Sequence, residues 1–148
     1  MPPLPATPPA SDEATRRAMQ ANRSVDTRPE VKLRRRRFAA GRRFRKDYRV
    51  SVGGESARAD VVFPRRRVAV FMDGCYWHGC GDHCRLPPRN REYWSAKIAR
   101  NKERDERVSR ALRDGGWTVI RVWEHEPVEE AVARIATMLA EKARRCRR

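Results

Sequence analysis

Twelve residues, Asp73-Gly-Cys-Tyr-Trp-His-Gly-Cys-Gly-Asp-His-Cys84, constrain this chain more than any other stretch of it. They place three thiols, two imidazoles, two carboxylates and two adjacent aromatic rings in a segment too short to bury them all. The segment follows a strand-like apolar run, Val68-Ala-Val-Phe-Met72, and a second such run upstream, Arg58-Ala-Asp-Val-Val-Phe63, carries Asp60. With Pro64-Arg65-Arg66 between them, the two runs read as a hairpin. A turn centred on Arg65 and Arg66 sets Asp60 opposite Phe71 and diagonal to Asp73 on one face, about 7 Å apart and within reach of a shared cation.

The thiols and imidazoles have the spacing of a metal site. Four residues separate Cys75 from Cys80, two separate Cys80 from His83, and His125 follows a distant strand. Zinc takes four such ligands in a tetrahedron. Cys75, Cys80, His83 and His125 form a Cys2His2 set for a structural Zn2+, with Cys84 as the alternative to His83. Such a site would staple an irregular loop to the end of the later strand; the plainer alternative is a loop of unligated thiols. His78 stands apart from the set. Beside Trp77 and near Asp73, it can face the carboxylates, and an imidazole of ordinary pKa, ~6.5, can accept a proton from water at neutral pH. The competing reading is a structural or solvent-facing histidine.

Charge indicates the partner. Lys and Arg number 35 against 19 acidic residues, a formal net charge of +16 spread along the whole chain. Such a surface binds polyanions by releasing counterions, which favours nucleic acid. An acidic membrane surface competes, but no apolar run is long enough to span a bilayer and no lipidation motif is present. Residues 1–10 hold five of the ten prolines and read as a disordered leader, not a signal peptide. A reducing, cytoplasmic setting follows, in which cysteines ligate metal or stay free. Cys146 lies in a basic tail, residues 145–148, with no specific task.

The remaining punctuation gives the architecture. Ser11-Asp12-Glu13 caps a helix running to about Asn22, and Asp26-Thr-Arg-Pro-Glu30 opens a second that Gly41 stops. Phe44 to Val50 is weakly strand-like, and Gly53-Gly54 turns the chain. Asn90 to Arg113 reads as a helix with Tyr93, Trp94, Ile98, Val108 and Leu112 on its buried side, ended by Gly115-Gly116. Trp117 to Trp123 is a strand with both tryptophans in the core. Glu126 to about Arg144 is a helix with a stripe of Val128, Ala131, Val132, Ile135, Met138 and Leu139. The order α-α-β-β-β-α-β-α predicts an α/β fold, a mixed sheet flanked by helices, in one domain over residues 11–144.

Taken together, Arg-Ala-Asp60-Val-Val, Val-Phe-Met-Asp73-Gly-Cys-Tyr-Trp-His78-Gly-Cys, Asn90-Arg-Glu-Tyr-Trp94, Lys97 to Asp105, Gly-Trp117 and Val-Trp-Glu-His125 resemble the very-short-patch repair DNA mismatch endonucleases over about residues 13–140. The resemblance implies a PD-(D/E)XK restriction-endonuclease-like fold with a structural zinc. It implies Mg2+-dependent nicking of one strand of duplex DNA, 5′ of the thymine in a T:G mismatch, which starts repair of deaminated 5-methylcytosine. By position, Asp60 matches the metal-binding aspartate and His78 the proposed general base. Asp73 takes the next acidic position, Met72 offers its backbone carbonyl to the metal, Glu30 matches an N-terminal glutamate linked to the site, and Asp105 an acidic position that orients His78. The lysine usual after the second carboxylate is replaced by Gly74-Cys75, in keeping with the family's histidine chemistry. Tyr76, Trp77 and Trp94 match side chains that wedge into the base stack; for Trp94, core packing is the alternative.

The expected enzyme is a monomer acting on mismatched double-stranded DNA, with repair proteins downstream. Arg89, Arg91, Lys97 and Arg100 flank the aromatic helix as candidate phosphate contacts. Two other classes compete. A zinc-stapled, non-catalytic DNA-binding module accounts for the charge, cysteines and aromatics but not for two carboxylates on one hairpin face. A restriction-type nuclease shares the chemistry and differs in what it reads.

Overall fold

The computed structural model describes residues 3–4, 6–10, 12–21, 31–35 and 43–147. The elements run α1 (Glu13–Ala21), β1 (Arg45–Val52), β2 (Glu55–Phe63), a 3-10 turn (Pro64–Arg66), β3 (Val68–Asp73), α2 (Arg91–Asp114), β4 (Thr118–Trp123) and α3 (Val128–Arg145). Residues 31–35 are helical, part of the expected second helix. Its anticipated start at Asp26 to Glu30 and stop at Gly41 lie outside the described residues, and Glu30 with them.

Local signals act as their chemistry demands. Asp12 caps α1: its carboxylate accepts the Thr15 N–H at 2.6 Å. Gly115 and Gly116 end α2, Gly116 at φ +83°, and the chain leaves with Trp117 N–H donating to the Leu112 carbonyl at 2.9 Å. The link between β2 and β3 closes through Arg67 in the left-handed region, φ 51°, its N–H on the Pro64 carbonyl.

The four strands form one sheet in the order β1-β2-β3-β4. β1, β2 and β3 are joined antiparallel, whereas β4 lies parallel to β3 and is reached through α2. Each face is covered. On one, Val61, Phe63, Val68, Val70, Ile120 and Val122 pack on Ala131, Ile135 and Leu139 of α3 and on Leu33. On the other, Val50, Ala59, Val62, Ala69 and Phe71 pack on Val108 and Leu112 of α2. This is the mixed sheet flanked by helices read from the sequence.

Two expectations need correction. Trp94 is not on the buried side of α2; Ser109 is, beside Tyr93, Ile98, Val108 and Leu112. Trp117 precedes β4 and, like Trp123, is only half-buried: Trp117 packs at the margin of the α2-side core, and Trp123 stacks on His125 with ring centroids 6.2 Å apart.

β2 carries an irregularity that matters below. Ala59 and Val62 enter the same cluster although three residues apart, which strict alternation forbids. Asp47, the β1 residue facing Asp60, has φ 48° and no pairing in the ladder. The β2–β3 ladder likewise runs from Phe63↔Val68 to Val61↔Val70 and goes no further. β2 and β3 therefore part at Asp60, while β1 and β2 pair again from Tyr48↔Ala59 onward.

Ile135 is fully buried on the α3 face, remote from that fork. Ile135→Ala should lower unfolding stability by about 2–5 kcal/mol, read from urea denaturation. A loss below about 1 kcal/mol would show that α3 is not seated as described.

Candidate active site and metal centre

Where β2 leaves β3, one backbone donor of β3 loses its ladder partner, and the Asp60 carboxylate takes it: Oδ2 accepts the Met72 N–H at 2.6 Å. Continuing the register one step puts Asp60 opposite Phe71, as the hairpin reading required. Asp60, Phe71, Met72, Asp73, His78, Asp105, Val108 and Arg121 line a cleft of about 400 Å³ whose rim includes Arg58 and Arg104. The strands, the loop after β3, and α2 each contribute.

Asp73 ends β3 and is buried, 4 % exposed. Parallel pairing sets Arg121 of β4 beside Phe71. Its guanidinium stacks 4.9 Å from the Phe71 ring centroid. One terminal nitrogen donates to both Asp73 oxygens, at 2.7 and 2.9 Å. Nε donates to Ser109 Oγ at 3.2 Å, and the other terminal nitrogen to the Asp105 backbone carbonyl at 3.4 Å. Arg121 and Ser109 were missed in the sequence. The available signal was a lone arginine inside the run Thr-Val-Ile-Arg-Val-Trp, a charge where a parallel strand expects an apolar residue.

His78 sits between two carboxylates. Its Nδ1 lies 2.5 Å from Asp105 Oδ2 and 3.7 Å from Asp73 Oδ1. Burial raises the Asp105 carboxyl, but the His78 hydrogen bond, Arg121 and Arg104 outweigh it and hold the group below the usual carboxylate range. An ionised Asp105 can only accept, so Nδ1 carries the proton in this contact, and in the neutral imidazole the lone pair lies on Nε2. For Asp73 the balance reverses: burial pushes the carboxyl up, and Arg121 and His78 only partly offset it.

The loop from Gly74 to Cys84 sorts its side chains by successive turns. His78 N–H bonds the Gly74 carbonyl at 3.1 Å, Cys80 N–H the Cys75 carbonyl at 2.9 Å, and Cys84 N–H the Cys80 carbonyl at 3.0 Å. Gly79, at φ +62°, is the pivot between His78 and Cys80; a Cβ there would lie 2.3 Å from Lys102 Cε and 2.7 Å from Ile98 Cγ2. Cys75 N–H donates to Glu124 Oε1 at 2.7 Å, which ties the loop to the end of β4.

On the far side of that pivot Cys75, Cys80, His83 and His125 converge, all four ligand atoms within 4.8 Å of one another. Cys75 Sγ is 3.0 Å from His125 Nδ1, and Cys80 Sγ is 3.6 Å from His83 Nδ1 and 3.9 Å from His125 Nδ1. A tetrahedral ion with bonds of about 2.0–2.3 Å has edges of roughly 3.3–3.8 Å, so the set is near ligation distances. Cys84 is turned away, its thiol directed at the Tyr76 carbonyl at 3.7 Å. Burial and the adjacent Cys80 push the Cys75 thiol up to about 11, so a cation bound there displaces a proton.

The remaining loop residues face outward. Tyr76, Trp77 and Trp94 meet with ring centroids 5.1 to 6.0 Å apart, and Tyr93 adds a further edge contact to Trp94 at 5.1 Å. Trp77, 36 % exposed, is the exposed large apolar side chain among the described residues. Lys97 lies over the Tyr93 and Trp94 rings, 5.7 Å from each centroid. A larger cleft, about 440 Å³, lies by the turn before β3. Arginines and apolar groups line it, with no acid or base among the described residues, so it lacks the means for proton transfer. No described helix is long and apolar enough to cross a membrane.

An imidazole held between one buried and one half-buried carboxylate, beside an aromatic cluster in a chain this basic, is an arrangement suited to acid–base chemistry on a polyanion. The family model described as DNA mismatch endonuclease Vsr matches residues 10–86. The type II nicking enzyme V.NaeI of Lentzea aerocolonigenes is 50 % identical over 124 residues, 83 % of this chain and 75 % of that protein. The type II nicking enzyme V.XorIIP of Xanthomonas oryzae pv. oryzae is 44 % identical over 78 % of this chain and 83 % of its own. The DNA mismatch endonuclease Vsr of Escherichia coli K12 is 36 % identical over 76 % of this chain and 71 % of its own. The chain belongs to the Vsr family of DNA mismatch endonucleases.

Cys80→Ser should reduce bound metal and thermal stability together, measured by elemental analysis and melting. Full metal content in this variant would remove Cys80 from the ligand set.

Proposed function

We propose that this protein is an Mg2+-dependent endonuclease that nicks one strand of duplex DNA 5′ of the thymine in a T:G mismatch, initiating very-short-patch repair of deaminated 5-methylcytosine. The observation that carries the reading is the cleft itself: His78, its Nδ1 held by Asp105, shares one lined space with Asp60 and Asp73. Membership of the Vsr family and relatives named as nicking or mismatch endonucleases support the substrate class.

The carboxylates fit a hard cation, which takes oxygen ligands. Asp60 is its first ligand, with Asp73 or the Met72 carbonyl beside it. Bound Mg2+ would supply charge stabilisation at the scissile phosphate and the departing 3′ oxygen. His78 Nε2 takes a proton from the attacking water; the water oxygen bonds to phosphorus as the P–O3′ bond breaks, and the departing 3′ oxyanion takes its proton from solvent water. The products carry a 5′ phosphate and a 3′ hydroxyl. Zn2+ is the ion proposed for Cys75, Cys80, His83 and His125: two thiolates and two imidazoles suit it, and its task is to staple the loop to β4. The whole assembly is read as a restriction-endonuclease-like monomer, and Glu30 keeps only the role that the family resemblance implies for it.

Tyr76, Trp77 and Trp94 supply mismatch preference in this reading. Unstacking a base step costs a few kcal/mol and least at a mispair, so insertion of the exposed Trp77 discriminates by itself. A second reading has specific support, since V.NaeI and V.XorIIP are named type II nicking enzymes: the same chemistry with a recognition sequence of its own.

Strand-labelled cleavage of a duplex with one T:G mismatch and of its T:A control, with Mg2+ and with EDTA, tests the proposal. A single Mg2+-dependent nick beside the thymine, absent from the control, is expected. Cleavage of both duplexes would retain the nuclease and discard the mismatch role; cleavage of neither across several contexts would favour a DNA-binding module. Asp60→Ala should abolish nicking with duplex binding and folding intact, and loss of fold instead would make Asp60 structural. Trp77→Ala should lower mismatch preference more than general affinity, as competition binding would show; equal losses on matched duplex would reduce it to an ordinary contact.

A further inference from the structure

We propose that Arg121 is a positioning residue of this site, holding Asp73 and Asp105 at a fixed separation and thereby setting the orientation of the His78 ring. The inference rests on the nicking reading above for its effect on rate, but its geometry stands separately. Asp73 and Asp105 both approach one atom, His78 Nδ1, at 3.7 and 2.5 Å. Two carboxylates drawn to one proton repel each other unless a cation lies between them. Arg121 is that cation: one arm takes both oxygens of Asp73, and the other lies 3.4 Å from the Asp105 carbonyl and 3.6 Å from Oδ1 of its carboxylate.

The guanidinium is itself held from two further sides, and the backbone of the same residue by a third contact. Ser109 Oγ accepts from Nε, the Phe71 ring lies beneath the plane, and Arg134 donates to the Arg121 backbone carbonyl at 2.7 Å. A planar fork fixed in this way transmits position, which a flexible lysine ammonium cannot do equally. The consequence for His78 is geometric. Its ring can turn Nδ1 toward either carboxylate, and the choice decides where Nε2 and its lone pair point. With Asp73 occupied by Arg121 on both oxygens, Asp105 becomes the acceptor. Asp73 thereby acts as the counter-ion of Arg121, and of the two partners considered for Asp60 at the cation, the Met72 carbonyl is left.

The test uses the full chain with its metal site loaded and compares Arg121→Met, Arg121→Lys and Ser109→Ala with the parent. Three properties are read: single-turnover nicking, duplex affinity, and the His78 Nδ1–H resonance in 15N-histidine-labelled protein, assigned with His78→Gln. Arg121→Met should slow nicking about 100-fold, the scale of a misplaced catalytic group, with duplex affinity unchanged and the Nδ1–H signal displaced or lost. Arg121→Lys should recover part of the rate and of the signal. Ser109→Ala, which removes one anchor and leaves the charge, should shift the signal in the same sense with a smaller rate loss, and it serves should Arg121→Met fail to fold. An unmoved His78 signal in a folded Arg121 variant, or in Ser109→Ala, overturns the proposal. So does a rate loss matched by an equal loss of duplex affinity. Should the parent nick no duplex, the nuclease reading fails, while the resonance still decides whether Arg121 sets His78.

Discussion

Because β3 and β4 run parallel, both strands deliver their C-terminal ends to the same edge of the sheet, and the site depends on this. Asp73 closes one strand and Trp123 the other, paired in register, so the loop after β3 and the turn after β4 leave side by side. Only then can Cys75 meet His125, fifty positions away, and Cys75 N–H reach Glu124. The crossover that parallel pairing requires is α2, and its face brings Asp105 and Ser109 down onto the same edge. The Cys/His cluster and the carboxylate–imidazole cleft thus both draw side chains from the one loop after β3.

Much of this was legible locally. The hairpin register followed from turn length, since antiparallel pairing counts residues outward from the turn, and Phe63↔Val68, Val62↔Ala69 and Val61↔Val70 follow that count up to Asp60, where the ladder stops. The convergence of Cys75, Cys80 and His125 was legible from residue type and spacing, whereas the placing of His83 with them, and of the Cys84 thiol against the Tyr76 carbonyl, needed the structure. Arg121 was marked only by its charge inside an apolar strand; which groups it pairs with was not legible, because they lie 12 to 48 positions away. Nor was the break in β2, where the alternation slips at Asp60. Trp94 was placed on the buried face by helical period alone, yet the aromatic cluster after β3 supplies partners that keep it half-exposed.

The break in β2 explains how a carboxylate on an interior strand stays usable. In a continuous ladder Met72 N–H would bond a β2 carbonyl, and Asp60 would project over a closed sheet. Parting the strands leaves an unsatisfied donor, which is costly when buried, and the Asp60 carboxylate answers it at 2.6 Å. The residue is thereby aimed at the fork. The end of the β2–β3 ladder, the cleft and the placement of an acidic group thus coincide at Asp60.

The electrostatics of the cleft then divide labour between chemically identical groups. Asp73 and Asp105 both touch the same imidazole and the same guanidinium, yet burial prevails at Asp73 and raises it, whereas at Asp105 burial is outweighed by the His78 hydrogen bond together with the charges of Arg121, His78 and Arg104, and the group is lowered. Environments that push two carboxyls apart assign them different tasks. Asp105, the better acceptor, fixes the tautomer of His78; Asp73, more deeply buried, neutralises Arg121. A buried pair of this kind adds little net stability over an apolar pair, because desolvation consumes most of the attraction. Its presence on an otherwise apolar strand is therefore better accounted for by the geometry it imposes on His78 than by any strength it lends the fold.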